Sequence, residues 1–273
     1  MIRLSGFADE IGPDPELQIK TLAGEAIKFL ELRGVWGKNV LDLSEDQRKD
    51  FRSLISDAGI GVSCIGSPIG KVRIDEPWPD HVARFRVALD AAEFFAAPFI
   101  RLFSYYPPQG GKIADHRDEV IRRMNEQVAI AKGRMVKLLH ENEKDIYGEK
   151  TDGCADIAKS VPGMDLIFDP ANFVQAGIRP IDAWKVLKDR VVYFHIKDAM
   201  LADGKVVPAG EGDGCIEEVL RDAILKRKYD GFLSMEPHLA AAGQFSGFSG
   251  PDLFTKAVRS LKRILDGLGV KYQ

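Results

Sequence analysis

Short apolar runs alternate with longer amphipathic stretches along the whole chain. The strand-type runs are 2–7 (IRLSGF), 30–35 (LELRGV), 60–65 (IGVSCI), 98–103 (PFIRLF), 135–140 (MVKLLH), 164–168 (MDLIF), 191–196 (VVYFHI) and 231–235 (GFLSM). They are near-continuously apolar, as strands buried on both faces are. Between them, apolar positions recur at helical spacing over 15–29, 45–58, 79–96, 115–133, 152–160, 180–188, 215–227 and 251–268. Helix punctuation agrees: Ser44 precedes Glu45 and Gln47, Pro180 opens a first turn, and Gly59 and Gly231 stand where helix C-terminal glycines belong. Strand–helix alternation repeated eight times predicts a parallel sheet closed as a single-domain (β/α)8 TIM barrel over residues 1–273. An open doubly wound sheet is the alternative, although it commonly has fewer strands. Gly210, Gly212 and Gly214 form a GxGxG run, but it follows the seventh strand and lacks the full dinucleotide fingerprint.

Composition narrows the class. The chain has 273 residues, or roughly 34 per strand–helix unit, the usual size of that repeat. With 45% apolar and 29% charged residues it is globular in composition. The net charge of −3 argues against generic nucleic-acid binding. Cys64, Cys154 and Cys215 are far apart and form no CxxC pair, which argues against a disulfide scaffold or a structural zinc site. The N-terminus turns acidic at Asp9 and Glu10, too early for a signal peptide, and no apolar run is long enough to span a membrane. The expectation is a cytoplasmic protein acting on a small molecule, with neither nucleic acid nor membrane as partner and with room for a homo-oligomer.

In a (β/α)8 barrel the chemistry sits at the C-terminal ends of the strands. The last four predicted strands end in Glu141, Asp169, His195 and Glu236. Any one of these is an ordinary solvated side chain, but on successive parallel strands they would ring one point. Three carboxylates and an imidazole, with no thiolate, suit Mn2+, Mg2+, Co2+ or Zn2+. Arg101, on the fourth strand, has the planar fork for a carboxylate or phosphate, or else pairs internally with Asp9, Glu10 or Glu141. Arg33 and Trp36 follow the second strand, and Tyr105 and Tyr106 follow the fourth, where an aromatic wall for a substrate could form.

The segments GFADEI, KLLHENE (137–143), FDPANF (168–173), FHIKDA (194–199), VPAGEGDG (207–214) and SMEPH (234–238) identify a resemblance. The chain resembles the xylose isomerase-like barrels of the sugar phosphate isomerase/epimerase superfamily over nearly its whole length. The resemblance implies a metal held by Glu141, Asp169, His195 and Glu236, with Mn2+ foremost. It implies an isomerase or epimerase of a small sugar or keto-polyol, phosphorylated or not. Proton transfer next to a carbonyl would run through an enediolate, with Glu141 and Glu236 as the acid/base pair. A lyase of the inosose-dehydratase type on the same scaffold is the runner-up.

This chain departs from the sugar 3-epimerases in two places. Asn172 stands where they carry histidine, and the loop after the seventh strand offers Lys205 where they carry arginine. Asn172, Lys197, His238 and Arg101 are the expected substrate-binding residues, Lys197 and His238 being also the candidate acids of a lyase. An abasic-site endonuclease on this barrel would need histidines that are absent from the third and fourth strand ends and from position 172. A sugar-binding barrel without catalysis would leave the ligand set incidental. His81, His116 and the cluster Arg117, Arg122 and Arg123 are expected on solvated helix faces, and Phe94, Phe95 and Trp184 in the outer core.

Overall fold

In the computed structural model, which describes residues 1–240 and 249–273, eight parallel strands form a nearly closed barrel. They are β1 (Arg3–Gly6), β2 (Phe29–Leu32), β3 (Gly61–Ile65), β4 (Phe99–Leu102), β5 (Lys137–Glu141), β6 (Met164–Phe168), β7 (Val191–Ile196) and β8 (Phe232–Met235). Their order is β1-β8-β7-β6-β5-β4-β3-β2, and a parallel bridge between Phe7 and Glu31 joins the two ends. The helices are α1 (Pro15–Gly24), α2 (Glu45–Asp57), α3 (Trp78–Phe94), α4 (Arg117–Ala131), α5 (Thr151–Ser160), α6 (Pro170–Gln175), α7 (Pro180–Leu187), α8 (Ile216–Leu220) and α9 (Gly250–Gly267). This is the expected single-domain (β/α)8 TIM barrel. None of these helices is long and apolar enough to cross a membrane. The stretch 238–250 (HLAAAGQFSGFSG) reads in the sequence as a long loop after the eighth strand, and its residues 241–248 lie outside the described residues.

Local chemistry accounts for the boundaries. The Ser44 side chain caps α2 while Gln47 returns a bond to the Ser44 N–H, a complete capping box. Helix α1 stops at Gly24, short of the expected 29, because Ala26 adopts a left-handed φ of 54° and the Ile27 N–H folds back onto the Leu22 carbonyl. Strand β2 ends at Leu32 rather than 35. Trp36 (φ 53°) and Gly37 (φ 69°) make a two-residue turn that pairs Gly34–Val35 antiparallel with Lys38–Asn39. The stretch 215–227 divides into α8 and a π-helical turn, Arg221–Lys226. The left-handed residue beyond it is Lys228 (φ 61°), not Gly231, whose missing Cβ instead leaves room for the Tyr229 ring.

Apolar side chains fill two compartments. Phe29, Phe99, Tyr193 and Phe232, from four strands, contact one another inside the barrel, joined by Cys64, Leu139 and Ile167. The larger core lies outside the barrel, between strands and helices, and holds Trp184 against Phe168 and Phe194 and also Phe95, as expected. Three expectations fail in that outer layer. His81 is buried, stacked on Trp78 and edge-on to Tyr105. Arg123 is buried with its guanidinium over the rings of Trp78 and Tyr105, so only Arg117 and Arg122 of that cluster face solvent. Tyr105 is wholly buried and Trp36 packs on Phe51, so neither forms an open substrate wall. His81, Arg123 and Tyr105 reflect α3–α4 packing and Trp36 packing on α2, which periodicity on a single helix does not reveal.

Candidate metal centre

Side chains alternate along a strand, so a residue two positions beyond an inward apolar side chain also points inward. Leu139 is followed in this way by Glu141, Ile167 by Asp169, and Tyr193 by His195, while β8 continues inward through Ser234 to Glu236. The barrel core thus delivers four ligand-type side chains to its C-terminal mouth. Glu141, Asp169, His195 and Glu236 are all buried, and one ligand atom from each lies within 4.8 Å of the others.

Arginine, lysine and histidine side chains interleave with them. His195 Nδ1 is 2.9 Å from Glu141 Oε1 and 3.7 Å from Glu236 Oε2. Arg101 is buried, and its Nη1 donates to Glu141 Oε2 at 3.1 Å and stands 3.7 Å from Glu236 Oε1. Arg33, beyond β2, spans Asp9, Glu10 and Glu236 at 2.7, 2.8 and 2.9 Å. Lys197 Nζ lies 2.9 Å from Asp169 Oδ2 and 3.3 Å from Glu236 Oε2. His238 Nε2 is 3.0 Å from Glu10 Oε1 and 3.5 Å from Glu236 Oε1, with its side chain about one-third exposed (32%). Asn172 donates to the Asn142 carbonyl at 2.8 Å and approaches Glu141 Oε1 at 3.4 Å. The mouth therefore gathers all eight expected residues around one point.

The charges do not balance. Glu10, Glu31, Glu141, Asp169 and Glu236 are buried and Asp9 is nearly so, against the permanent cations Arg33, Arg101 and Lys197. Burial favours the neutral form of Glu141, but His195 and Arg101 outweigh it and hold that carboxyl at about 2. Burial likewise opposes ionisation of Glu236, yet Lys197, His238, His195 and Arg33 keep it well below the usual range. For Asp169 burial wins over Lys197, lifting the group to about 6. His195 is desolvated, but Glu141 and Glu31 hold it well above its ordinary value.

Asp169 tests the fit of a cation. Its Oδ1 caps α6 by accepting the Asn172 N–H at 2.9 Å, and the Asn142 side chain clamps its backbone on both sides. Its buried Oδ2 accepts no regular hydrogen bond from the described residues and faces the Lys197 ammonium at 2.9 Å as an ion pair. That oxygen, beside two further carboxylates and an imidazole, completes a donor set that fits a hard divalent cation.

Asp198, by contrast, is fully engaged. Its carboxylate accepts the N–H groups of Ala199, Gly210 and Gly214 at 2.8 Å and of Gly212 at 3.1 Å. A Cβ on Gly212 or Gly214 would stand 2.5 Å from Asp198 Oδ1. The GxGxG run thus wraps a protein carboxylate rather than a nucleotide phosphate. Sequence reasoning offered Asp9 and Glu10 only as partners of Arg101, whereas they pair with Arg33, to which it gave no role, and it passed over Glu31. The available signal was a lone charge inside the apolar run FLEL, two positions after the inward Phe29.

The family model of the xylose isomerase-like TIM barrel matches residues 21–264. No curated protein sequence matches. Among solved structures, the chain is similar to a D-tagatose 3-epimerase-like protein (16% identity, 98% of each chain covered, TM-score 0.79). It is also similar to the probable 3-DHS dehydratase AsbF from Bacillus anthracis (15% identity, 95% of this chain and 98% of that one, TM-score 0.75). A third is a xylose isomerase-like TIM barrel protein from Mycobacterium smegmatis in complex with magnesium (17% identity, 98% and 97% covered, TM-score 0.71). At such identities these structures share the fold. Since the family model spans most of the residues, the chain belongs to the xylose isomerase-like TIM barrel family.

Proposed function

We propose that this protein is a divalent-metal-dependent isomerase or epimerase of a small sugar or keto-polyol. The observation that carries the reading is the convergence of Glu141, Asp169, His195 and Glu236 within 4.8 Å, all four buried. These four would hold the metal, Mn2+ or Mg2+ by the hardness of the donors. When bound, the metal supplies Lewis-acid polarisation of a carbonyl, which acidifies the adjacent C–H. Glu141 and Glu236 come from strands separated by β6 and β7, so they approach a substrate from different sides. One takes the proton from carbon and the other returns or relays it. Arg101 holds Glu141 Oε2, while Arg33 and Lys197 hold Glu236, and these contacts keep both groups ionised and ready to accept a proton. Asn172, pinned to Asn142, presents its amide beside Glu141, where it can bond a substrate hydroxyl.

His238 favours a second reading, a dehydratase. It is the partly exposed acid candidate at the mouth, 3.5 Å from Glu236, and could protonate a departing β-hydroxyl. Incubation of a panel of ketoses and inososes in deuterated water separates the readings. Carbon-bound deuterium without loss of water supports the isomerase, and a conjugated, ultraviolet-absorbing product supports the dehydratase. Glu141→Gln and Glu236→Gln should each lower turnover by about 10²–10⁴-fold with the fold retained. Unchanged turnover in both variants would sink the acid/base assignment.

A further inference from the structure

The environment of His195 carries one more assignment, which rests on the metal reading above. The ring is wholly buried, and each nitrogen faces a different carboxylate. Nδ1 faces the ligand cluster, 2.9 Å from Glu141 Oε1. Nε2 faces away from it, 3.2 and 3.3 Å from the two oxygens of Glu31. Glu31 is itself fully buried and sits just past a register shift in β2, where Leu30 pairs with Val62 but Glu31 pairs with Cys64. Such an irregularity re-aims a side chain.

Below it, a chain of hydroxyls ends on the same carboxylate. Tyr193 donates its O–H to Glu31 Oε2 at 3.0 Å. Ser63 Oγ lies 2.9 Å from Tyr193 Oη, and Ser5 Oγ lies 2.6 Å from Ser63 Oγ. Ser63 gives its proton to the Leu30 carbonyl at 3.0 Å, Ser5 can donate to Ser63, and the Tyr193 O–H goes to Glu31. Glu31 is then left as acceptor for a proton on His195 Nε2 as well.

We propose that Glu31 is a positioning residue for the metal ligand His195. By accepting the Nε2–H it fixes the imidazole as the tautomer whose Nδ1 lone pair faces Glu141, Asp169 and Glu236, and it raises the basicity of that nitrogen. A histidine that ligates through one nitrogen commonly gives its other N–H to a carboxylate, and removing that carboxylate typically costs 10–100-fold in metal affinity. A purely structural ion pair between Glu31 and His195 would have no such effect on metal binding.

Two measurements test this. In the Zn2+-loaded wild type, imidazole nitrogen NMR should show His195 protonated at Nε2 and metal-bound at Nδ1; the opposite tautomer overturns the proposal. Titration with Co2+ should show Glu31→Gln binding about tenfold or more weakly than wild type, with an altered visible band and an unchanged circular dichroism spectrum. Affinity and band equal to wild type overturn it. If Glu31→Gln does not fold, Tyr193→Phe removes the clamp on Glu31 and should weaken Co2+ binding in the same direction; no weakening counts against the proposal. A wild type that binds neither Co2+ nor Zn2+ overturns the metal reading and this assignment together. Tight binding by both wild type and Glu31→Gln removes this assignment alone.

Discussion

The two halves of the barrel mouth contribute differently. Strands β5 to β8 end in Glu141, Asp169, His195 and Glu236, short side chains that meet because their strands are neighbours. The β1 to β4 half contributes Arg33 and Arg101, long side chains that reach across the mouth to Glu236 and Glu141. It also sends Glu31 behind His195. The ligand set is thus made by strand order and the charge balance by side-chain reach. The two arginines keep these carboxylates ionised, work that a bound cation would share.

Removing a partner from the second half should break the balance most. Arg101→Ala leaves Glu141 and Glu236 short of a buried counter-charge, and breaking such a pair costs about 3–5 kcal/mol. Urea unfolding without metal should show that loss, and excess Mn2+ should recover part of it. Failure of Mn2+ to help more than it helps wild type would mean that the halves are not coupled through charge. Metal itself comes next. At a hundredfold excess over its Kd, Mn2+ should stabilise the wild type by about 2.7 kcal/mol. That is about 5–10 °C in thermal midpoint for a chain of this size, lost again with a chelator.

Asp198 sharpens the first half of the comparison. It too is a carboxylate just past a late strand, but its oxygens are taken by four backbone N–H groups. Asp198→Ala should lower stability by about 2 kcal/mol and leave Mn2+ affinity unchanged in calorimetric titration. The smallest effect lies in the outer layer behind β4. Burial, assisted by Arg123, pushes His81 down to about 4 from its ordinary 6.5. The unfolded chain therefore binds the extra proton first, so this contribution is present above pH 6.5 and is lost as the pH falls toward 4. His81→Gln should make the urea midpoint fall less between pH 7 and pH 5. His140, pushed by burial to about 3, has the same sign and remains in the variant, so the slope shrinks without vanishing.

Legibility followed the same division. Glu141, Asp169, His195 and Glu236 could be read because each follows an apolar run by a fixed step, and the parity of a strand carries over to its last residue. Arg101 was legible as a strand residue, although a choice among Asp9, Glu10 and Glu141 as its partner needed coordinates; Glu141 is the partner at 3.1 Å. Arg33 and Glu236 are 203 positions apart in the chain, and no periodicity links them. Glu31 was hidden inside an apolar strand, where a lone charge reads as noise until its direction is known. Helix α6 was missed because its cap is a residue of the site, Asp169, rather than a serine ahead of a long amphipathic run. The GxGxG run read as weak nucleotide binding because glycine spacing shows that a backbone approaches an anion, without showing whether that anion is Asp198 or a phosphate.

By itself, the sequence determined the alternation of elements, the eight-unit barrel and which four strand-end side chains meet at its mouth. These depend on local periodicity and on chain order, which a parallel barrel converts directly into neighbours. The tertiary structure alone decided which charges face one another, that Asp169 turns one oxygen to the ligand cluster while Asp198 is held by backbone N–H groups, and that His195 has a carboxylate on each side. Those depend on distances of a few ångströms between residues from opposite walls of the barrel, set by packing and by the register shift in β2.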